Sequence, residues 1–220
     1  MNRLKILFSC FALISSYSFC NAQLFDKYGL ITYANIGTQL VTNPEIPSDG
    51  TFAWDYMLGW GAGIYGSYEL NNKISIRSQL NYLQKGFRDT YQTLDQSGQL
   101  IYETPINRLH YFSLDGLIQY KLNKKNHSPY LLVGIRSDFL LKASTDQIIG
   151  NPQGTQFIEN QDFNRIVLSG VTELGIQLSE VIFIEGGINF DITPSLLQSD
   201  ARLKGWLYML SVGFNLRKTT

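Results

Sequence analysis

The sequence predicts an all-β fold, an eight-stranded antiparallel up-and-down transmembrane β-barrel, on three observations. Apolar residues alternate with small or polar ones along several long segments, which is typical of strands with two different faces. Short connections alternate with long ones, as in a meander. After residue 22 no apolar run approaches the roughly 20 residues of a membrane-spanning helix. Because every backbone polar group in hydrocarbon needs an internal partner, strands cross a membrane only as a closed barrel.

The first 22 residues predict a secretory signal peptide. Arg3 and Lys5 precede an apolar stretch over 6–19, and the small residues Cys20 and Ala22 precede the expected cleavage point. An uncleaved anchor helix is the alternative, although the apolar stretch is short for one.

Residues 23–220 are then expected to form one outer-membrane β-barrel domain. Both cysteines, Cys10 and Cys20, fall in the signal peptide, so we expect no disulfide and no cysteine-bound metal in this domain. The whole chain has 18 basic and 18 acidic residues and no basic cluster, which gives no reason to expect a nucleic-acid partner.

The alternation is cleanest over 55–70. Its even positions are mostly apolar or aromatic, such as Leu58 and Ile64, whereas its odd positions are mostly small or polar, such as Gly61 and Ser67. Seven further segments share the two-residue period: 28–41, 74–82, 111–120, 131–141, 166–178, 182–192 and 206–216. Together they predict eight strands.

The connections alternate in length. Three are short, near 71–73, 123–129 and 179–181, and four are long, near 42–54, 88–107, 144–164 and 195–203. In outer-membrane barrels the short turns are periplasmic and the long loops extracellular. We therefore expect both chain termini in the periplasm of a bacterium.

Alternation alone does not say which face meets lipid, and a soluble lipocalin-like barrel would reverse the faces. Glycines crowd the polar face, where they leave room inside a narrow barrel, and the strands are long. Tyr56 and Tyr68 are twelve residues apart, about 30 Å along the membrane normal for a tilted strand. This favours a membrane barrel with an aromatic girdle, predicted to contain Tyr56, Tyr68, Tyr82, Tyr120, Trp206 and Tyr208.

Charged residues recur on the polar face. An eight-stranded barrel is filled by its own side chains, and an unpaired buried charge is costly. We therefore expect a paired charge network in the interior and no ion-conducting pore. The predicted network consists of Arg77, Asp115, Arg136, Asp138, Glu173 and Glu185.

Residues suited to catalysis are few. Outer-membrane hydrolases use a Ser–His pair, but Ser113 and His110 are three residues apart in one strand and would face opposite sides. His110 is expected on the lipid side, beside Tyr111, and His127 in a short turn. Carboxylates in the long loops, namely Asp89, Asp95, Glu103, Asp146, Glu159 and Asp162, are expected to solvate the loops or contact cations bound to lipopolysaccharide. No catalytic, cofactor or metal site is predicted.

Four segments resemble the PorT-like outer-membrane barrels of Bacteroidota. They are NYLQKGF at 81–87, HYFSLDGLIQYKL at 110–122, SPYLLVGI at 128–135 and GVTELGIQLSEVIFIEGGINFDITPSL at 170–197. The order and spacing of these segments cover nearly all of the predicted domain. The chain departs from the family pattern at Asp115, where the family usually has proline.

The resemblance implies a non-enzymatic barrel with a structural or accessory role, since the founding member of the family is an accessory of type IX secretion. The expected partners are outer-membrane lipid, lipopolysaccharide and other envelope or secretion proteins. Two alternatives stay open. One is a surface receptor or adhesin that uses loops 88–107 and 144–164, with Phe87, Tyr91, Tyr102 and Phe157 as anchoring aromatics. The other is a lipid hydrolase built around His110.

Overall fold

The structure is a computed structural model. It describes residues 25–42, 51–53, 55–88, 91–94, 98–123, 128–149, 154–156, 163–198 and 201–218. The predicted signal peptide, His127, Asp89, Asp95, Phe157, Glu159 and Asp162 lie outside these ranges. Within them there is no helix long and apolar enough to cross a bilayer.

Eight long strands form the barrel wall, which confirms the predicted fold class. They are β1 (Lys27–Thr42), β3 (Met57–Glu69), β4 (Ile74–Arg88), β6 (Leu100–Lys121), β7 (Pro129–Ile149), β9 (Ile166–Gln177), β10 (Ile182–Asp191) and β12 (Ala201–Lys218). Each is antiparallel to its neighbour, in the order β1-β3-β4-β6-β7-β9-β10-β12. The pairing of β12 with β1, from Lys27 opposite Lys218 to Thr42 opposite Arg202, closes the sheet.

Four short strands extend the wall at one end. They are β2 (Thr51–Ala53), β5 (Tyr91–Leu94), β8 (Gly154–Gln156) and β11 (Leu196–Gln198), paired with β1, β6, β7 and β12 respectively. We call this the loop end. The opposite end, the turn end, is where β3 passes into β4, β6 into β7 and β9 into β10, and it also carries Lys27 and Lys218.

Two of the predicted loops are partly strand. β6 begins at Leu100 and β7 continues to Ile149, so residues 100–107 and 144–149 belong to the wall and not to loops 88–107 and 144–164. The two strands stay paired as far as Glu103 opposite Ile149, with one irregularity between His110 and Tyr111. Backbone hydrogen bonds between β6 and β7 hold these segments in the wall. Past the bilayer neither face of a strand has to be apolar, so the alternation that predicts strands is not required there.

The two faces of the wall are those expected of a membrane barrel. In β3 the even side chains Leu58, Trp60 and Ile64 are exposed on the outside, whereas Tyr65 and Ser67 are buried inside. The same division runs through the other long strands, so the apolar side chains form a continuous outer surface. A soluble barrel would bury this surface, and the lipocalin-like alternative is therefore wrong.

Candidate functional site

The interior of the barrel gathers all six charged residues of the predicted network. Each is at most 3% exposed, because each lies on the inward parity of its strand. The set is Arg77 on β4, Asp115 on β6, Arg136 and Asp138 on β7, Glu173 on β9 and Glu185 on β10.

The middle of the interior is crossed by an ion pair between adjacent strands. Arg136 donates from Nε to Oδ1 of Asp115 over 2.7 Å and from Nη2 to Oδ2 over 2.6 Å. Asn81 donates to the same carboxylate over 3.0 Å, and the hydroxyl of Tyr33 donates to Asn81 over 2.8 Å. Residues from β1, β4, β6 and β7 are thereby linked across the barrel.

Nearer the turn end a second ion pair spans the barrel. The guanidinium of Arg77 donates to the carboxylate of Glu185, which also accepts from the hydroxyl of Tyr130 over 2.6 Å. Arg77 lies between two aromatic rings, 4.3 Å from the ring centre of Tyr65 and 4.6 Å from that of Phe183. Stacking of this kind suits the planar, weakly hydrated guanidinium.

A third group, nearer the loop end, includes two residues absent from the predicted network. Lys85 donates to Asp138 over 2.5 Å and lies 3.6 Å from Asp191. Ser113 also donates to Asp138, over 2.5 Å, and Ser169 donates to Asp191 over 2.8 Å. Lys85 could have been found by continuing the inward parity of β4 past Asn81, and Asp191 by continuing that of β10 past Glu185.

Glu173 differs from the other members of the network. It is 3% exposed, and its Oε2 has no hydrogen-bond partner among the described residues. The buried charged side chains that the structure describes are three basic, Arg77, Lys85 and Arg136, and five acidic, Asp115, Asp138, Glu173, Glu185 and Asp191. Buried acidic side chains thus outnumber buried basic ones among the described residues. Glu173 is the acidic residue whose charge is least neutralised by ion pairs and hydrogen bonds.

Above these charges the loop end of the interior contains an apolar cluster. The loop-end cap is a cluster of buried side chains from β4, β6, β7, β9 and β12 and from the segment before β9: Phe87, Leu109, Tyr111, Ala143, Phe163, Val167 and Leu203. Phe87 is only 3% exposed, so its predicted role as a surface anchor for a ligand is wrong. Tyr91 and Tyr102 lie in β5 and β6, so they too belong to strands.

The turn end of the interior is open. A cavity of about 120 Å³ lies below the Arg77–Glu185 pair, with Tyr65, Tyr130 and Phe183 among its lining residues. At its rim Glu69 accepts from Lys27 over 2.6 Å and from Lys121 over 3.1 Å. We call this cavity the vestibule. The barrel is thus filled toward the loop end and open toward the turn end.

On the outer surface aromatic residues form two belts. The six residues of the predicted girdle all face outward: Tyr68 and Tyr120 lie near the turn end, whereas Tyr56, Tyr82, Trp206 and Tyr208 lie toward the loop end. The loop-end belt also contains aromatic residues outside the predicted set. These are Trp60, packed 5.3 Å from Tyr82, the pair Phe112 and Phe139 at 6.5 Å, and Phe190, 6.2 Å from Trp206.

The two residues of the hydrolase alternative lie on opposite sides of the wall. Ser113 is fully buried in the interior, where it donates to Asp138. His110 lies on the outer face, and its Nδ1 is 2.5 Å from the hydroxyl of Tyr82, not beside Tyr111 as expected. A serine and a histidine so placed cannot share a proton. In the described part of the chain, no three His, Cys, Asp or Glu side chains come together in a way that could hold a metal ion.

Comparison with known proteins places the chain in a family. Residues 31–197 match the family described as outer membrane protein beta-barrel domain. No curated protein sequence matches the chain.

Several solved barrels are similar in structure. The attachment invasion locus protein Ail of Yersinia pestis, solved with the heparin analogue sucrose octasulfate, has a TM-score of 0.43 at 13% identity, covering 86% of this chain and 99% of Ail. Neisserial surface protein A has a TM-score of 0.42 at 12% identity, covering 85% and 97%. OprG from Pseudomonas aeruginosa has a TM-score of 0.37 at 12% identity, covering 88% and 99%.

The family match covers most of the chain, and it agrees with the closed eight-stranded wall, its apolar outer face and its polar interior. The chain belongs to the outer membrane protein beta-barrel domain family and is an eight-stranded barrel of the bacterial outer membrane.

Proposed function

We propose that this protein is a non-enzymatic accessory of the outer membrane that works through its turn end, in the manner of the PorT-like barrels that serve protein secretion. The observation that carries this proposal is the asymmetry of the interior. The middle and the loop end are filled by the Arg136 and Lys85 ion pairs and by the loop-end cap, whereas the turn end opens into the vestibule.

A barrel filled in this way is unsuited to carry a cargo chain. An extended polypeptide would have to displace ion pairs that are at most 11% exposed, and breaking such a pair costs about 3–5 kcal/mol. A role beside a separate conduit is compatible with this interior. The open vestibule and the short turns are then the surfaces on which an envelope partner would act.

The proposal includes an orientation, with the turn end and both termini in the periplasm. Short turns on that side and extended strands on the outer side are usual for such barrels. A peptide tag inserted between β4 and β6 should be labelled by antibody on intact cells. A tag after Thr220 should be labelled only after permeabilisation, and the reverse result would contradict the orientation.

The role in secretion is tested with a deletion strain. Loss of the protein should lower the amount of secreted cargo in the medium and raise the amount held in the periplasm. Complementation of the deletion strain tests which end of the barrel secretion requires. A variant in which residues 89–98 are replaced by a short turn should restore secretion. A variant carrying Lys124→Glu and Lys125→Glu should not. An unchanged distribution of cargo in the deletion strain would refute the role.

A surface receptor is the second candidate, and one observation favours it. β6 and β7 continue past the loop-end belt, and β5 and β8 add strands to them, so a sheet wall stands above the membrane surface. In that case the loop-end replacement should abolish ligand binding or attachment, while the deletion strain secretes normally.

A further inference from the structure

A patch of basic residues lies on the outer face of the barrel, directly above the loop-end belt. Lys142 on β7 is opposite His110 on β6 in the sheet, and Arg108 follows on the same outward parity of β6. Lys142 is exposed, and Arg108 and His110 are half-buried. Three adjacent strands contribute, because Tyr82 of β4 contacts His110 through its hydroxyl.

The patch lies at one boundary of the membrane. His110 is ten residues from Tyr120 of the turn-end belt along β6, which corresponds to about 25 Å along the normal of a tilted strand. That is the usual height of the apolar band between the two girdles. Arg108 lies two residues further out. The phosphate groups of lipids are found at this depth.

Below the patch the surface is aromatic and apolar. Phe112 and Phe139 pack at 6.5 Å between ring centres, with Leu114 and Ile135 further toward the bilayer centre, all exposed on the outer face. A ligand complementary to both regions has an anionic head and apolar chains.

We propose that Arg108, His110 and Lys142 bind a phosphate of a phosphorylated glycolipid in the outer leaflet, of the lipid A type, whose acyl chains lie over Phe112 and Phe139. Arg108 and Lys142 form charge-assisted hydrogen bonds to the phosphate. With the hydroxyl of Tyr82 donating to Nδ1 of His110, the ring proton is on Nε2, which then donates to a phosphate oxygen. The placement in the outer leaflet rests on the orientation proposed above, but the binding site itself does not.

The site is tested by native mass spectrometry of the full-length mature protein in detergent micelles with bisphosphorylated lipid A as the probe. We expect Arg108→Gln combined with Lys142→Gln to weaken retention of the lipid about tenfold, the loss of one or two charge-assisted contacts. The exchange of Arg108→Lys with Lys142→Arg should retain binding because it keeps both charges.

Two comparisons make the result specific. The matched control combines Lys73→Gln at the turn end with Lys204→Gln on β12, on the other side of the barrel. It removes the same total charge away from the patch, so it should bind lipid A like the wild type. Dephosphorylated lipid A should be retained about tenfold less by the wild type, by the same reasoning on charged contacts.

Either of two results would overturn the site. The first is equal retention of lipid A by the wild type and by the Arg108 and Lys142 double variant. The second is displacement of lipid A by millimolar inorganic phosphate, which would show a free-anion site and no lipid site. The assay uses no cells and no secretion, so its failure would leave the proposed accessory role untouched.

Discussion

Arg136 and Asp115 form a two-pronged ion pair in the centre of the barrel, with both side chains no more than 1% exposed. The two residues are direct neighbours in the pairing of β6 with β7. The parallel hydrogen bonds from Nε and Nη2 match the geometry of a carboxylate, which is the strongest arrangement available to these two groups. Position 115 is also where the chain departs from the proline of the PorT-like pattern, and the carboxylate there has a definite partner.

The first prediction concerns this pair. Asp115→Asn should lower the free energy of unfolding by about 3–5 kcal/mol, because the charge of Arg136 then stays buried without its counter-charge. The measurement is equilibrium unfolding in urea of the protein refolded into lipid vesicles. A loss below about 1 kcal/mol, as for an exposed pair, would show that the interior is solvated and that the pair is screened.

The second prediction uses Glu173 as the contrasting carboxylate. Glu173→Gln should change the unfolding free energy by less than about 1 kcal/mol, or raise it, because the substitution removes a buried charge that lacks compensation and keeps the side-chain volume. The same urea titration applies, and Asp115→Asn serves as the comparison under identical conditions. A loss as large as that of Asp115→Asn would mean that Glu173 has a strong partner and that the surplus of buried acid is balanced elsewhere.

The third prediction concerns close packing against glycine. A methyl group on Gly213 would collide with the ring of Phe183, which itself stacks on Arg77. Gly213→Ala should therefore cost about 1–3 kcal/mol of stability through overpacking. Gly116→Ala is the matched control, since Gly116 faces outward with no heavy atom within 4 Å of the added carbon, and there alanine should be neutral or slightly stabilising. Equal effects at the two sites would contradict the close packing of Phe183 against Gly213.

Most of what the sequence predicted correctly came from strand parity, the alternation of side chains between the two faces of a strand. The two-residue period assigned Arg77, Asp115 and Glu185 to one face without any knowledge of their partners, and the structure places all three inside. The same period assigned Leu58 and Ile118 to the outer face. Parity can be read from a short segment of the chain. The alternation is uninterrupted within the membrane because one face of each strand must meet lipid along the whole span.

The pairing inside the barrel could not be predicted in this way. Arg77 meets Glu185, 108 residues later in the chain, because the curvature and stagger of the closed sheet bring β4 and β10 face to face across the interior. The stagger is not encoded in any single strand. Parity therefore predicts which charges are inside but not which of them form a pair.

The loop end was predicted least well, for a related reason. Beyond the loop-end belt no lipid enforces alternation, so the continuation of β6 to Leu100 and of β7 to Ile149 has no sequence signature. Phe87 and Leu109 were not predicted to meet, yet they are diagonal neighbours across β4 and β6 and join the loop-end cap. Outside the membrane span an apolar residue can face inward or outward. Which way it faces depends on the pairing of the strands in the closed barrel, which the sequence did not predict.

The last prediction concerns ion flow. Residues 23–220 reconstituted in planar bilayers should show no stable single-channel steps, because the interior is crossed by the Arg77–Glu185, Arg136–Asp115 and Lys85–Asp138 ion pairs and is covered by the loop-end cap. Interiors of eight-stranded barrels have room for side chains and little else. A reconstituted porin serves as the positive control for insertion, and intact insertion of this protein is verified by its resistance to protease in the same lipid. Large, long-lived conductance steps in protein with the wild-type sequence would contradict the filled interior, on which the proposed accessory role rests.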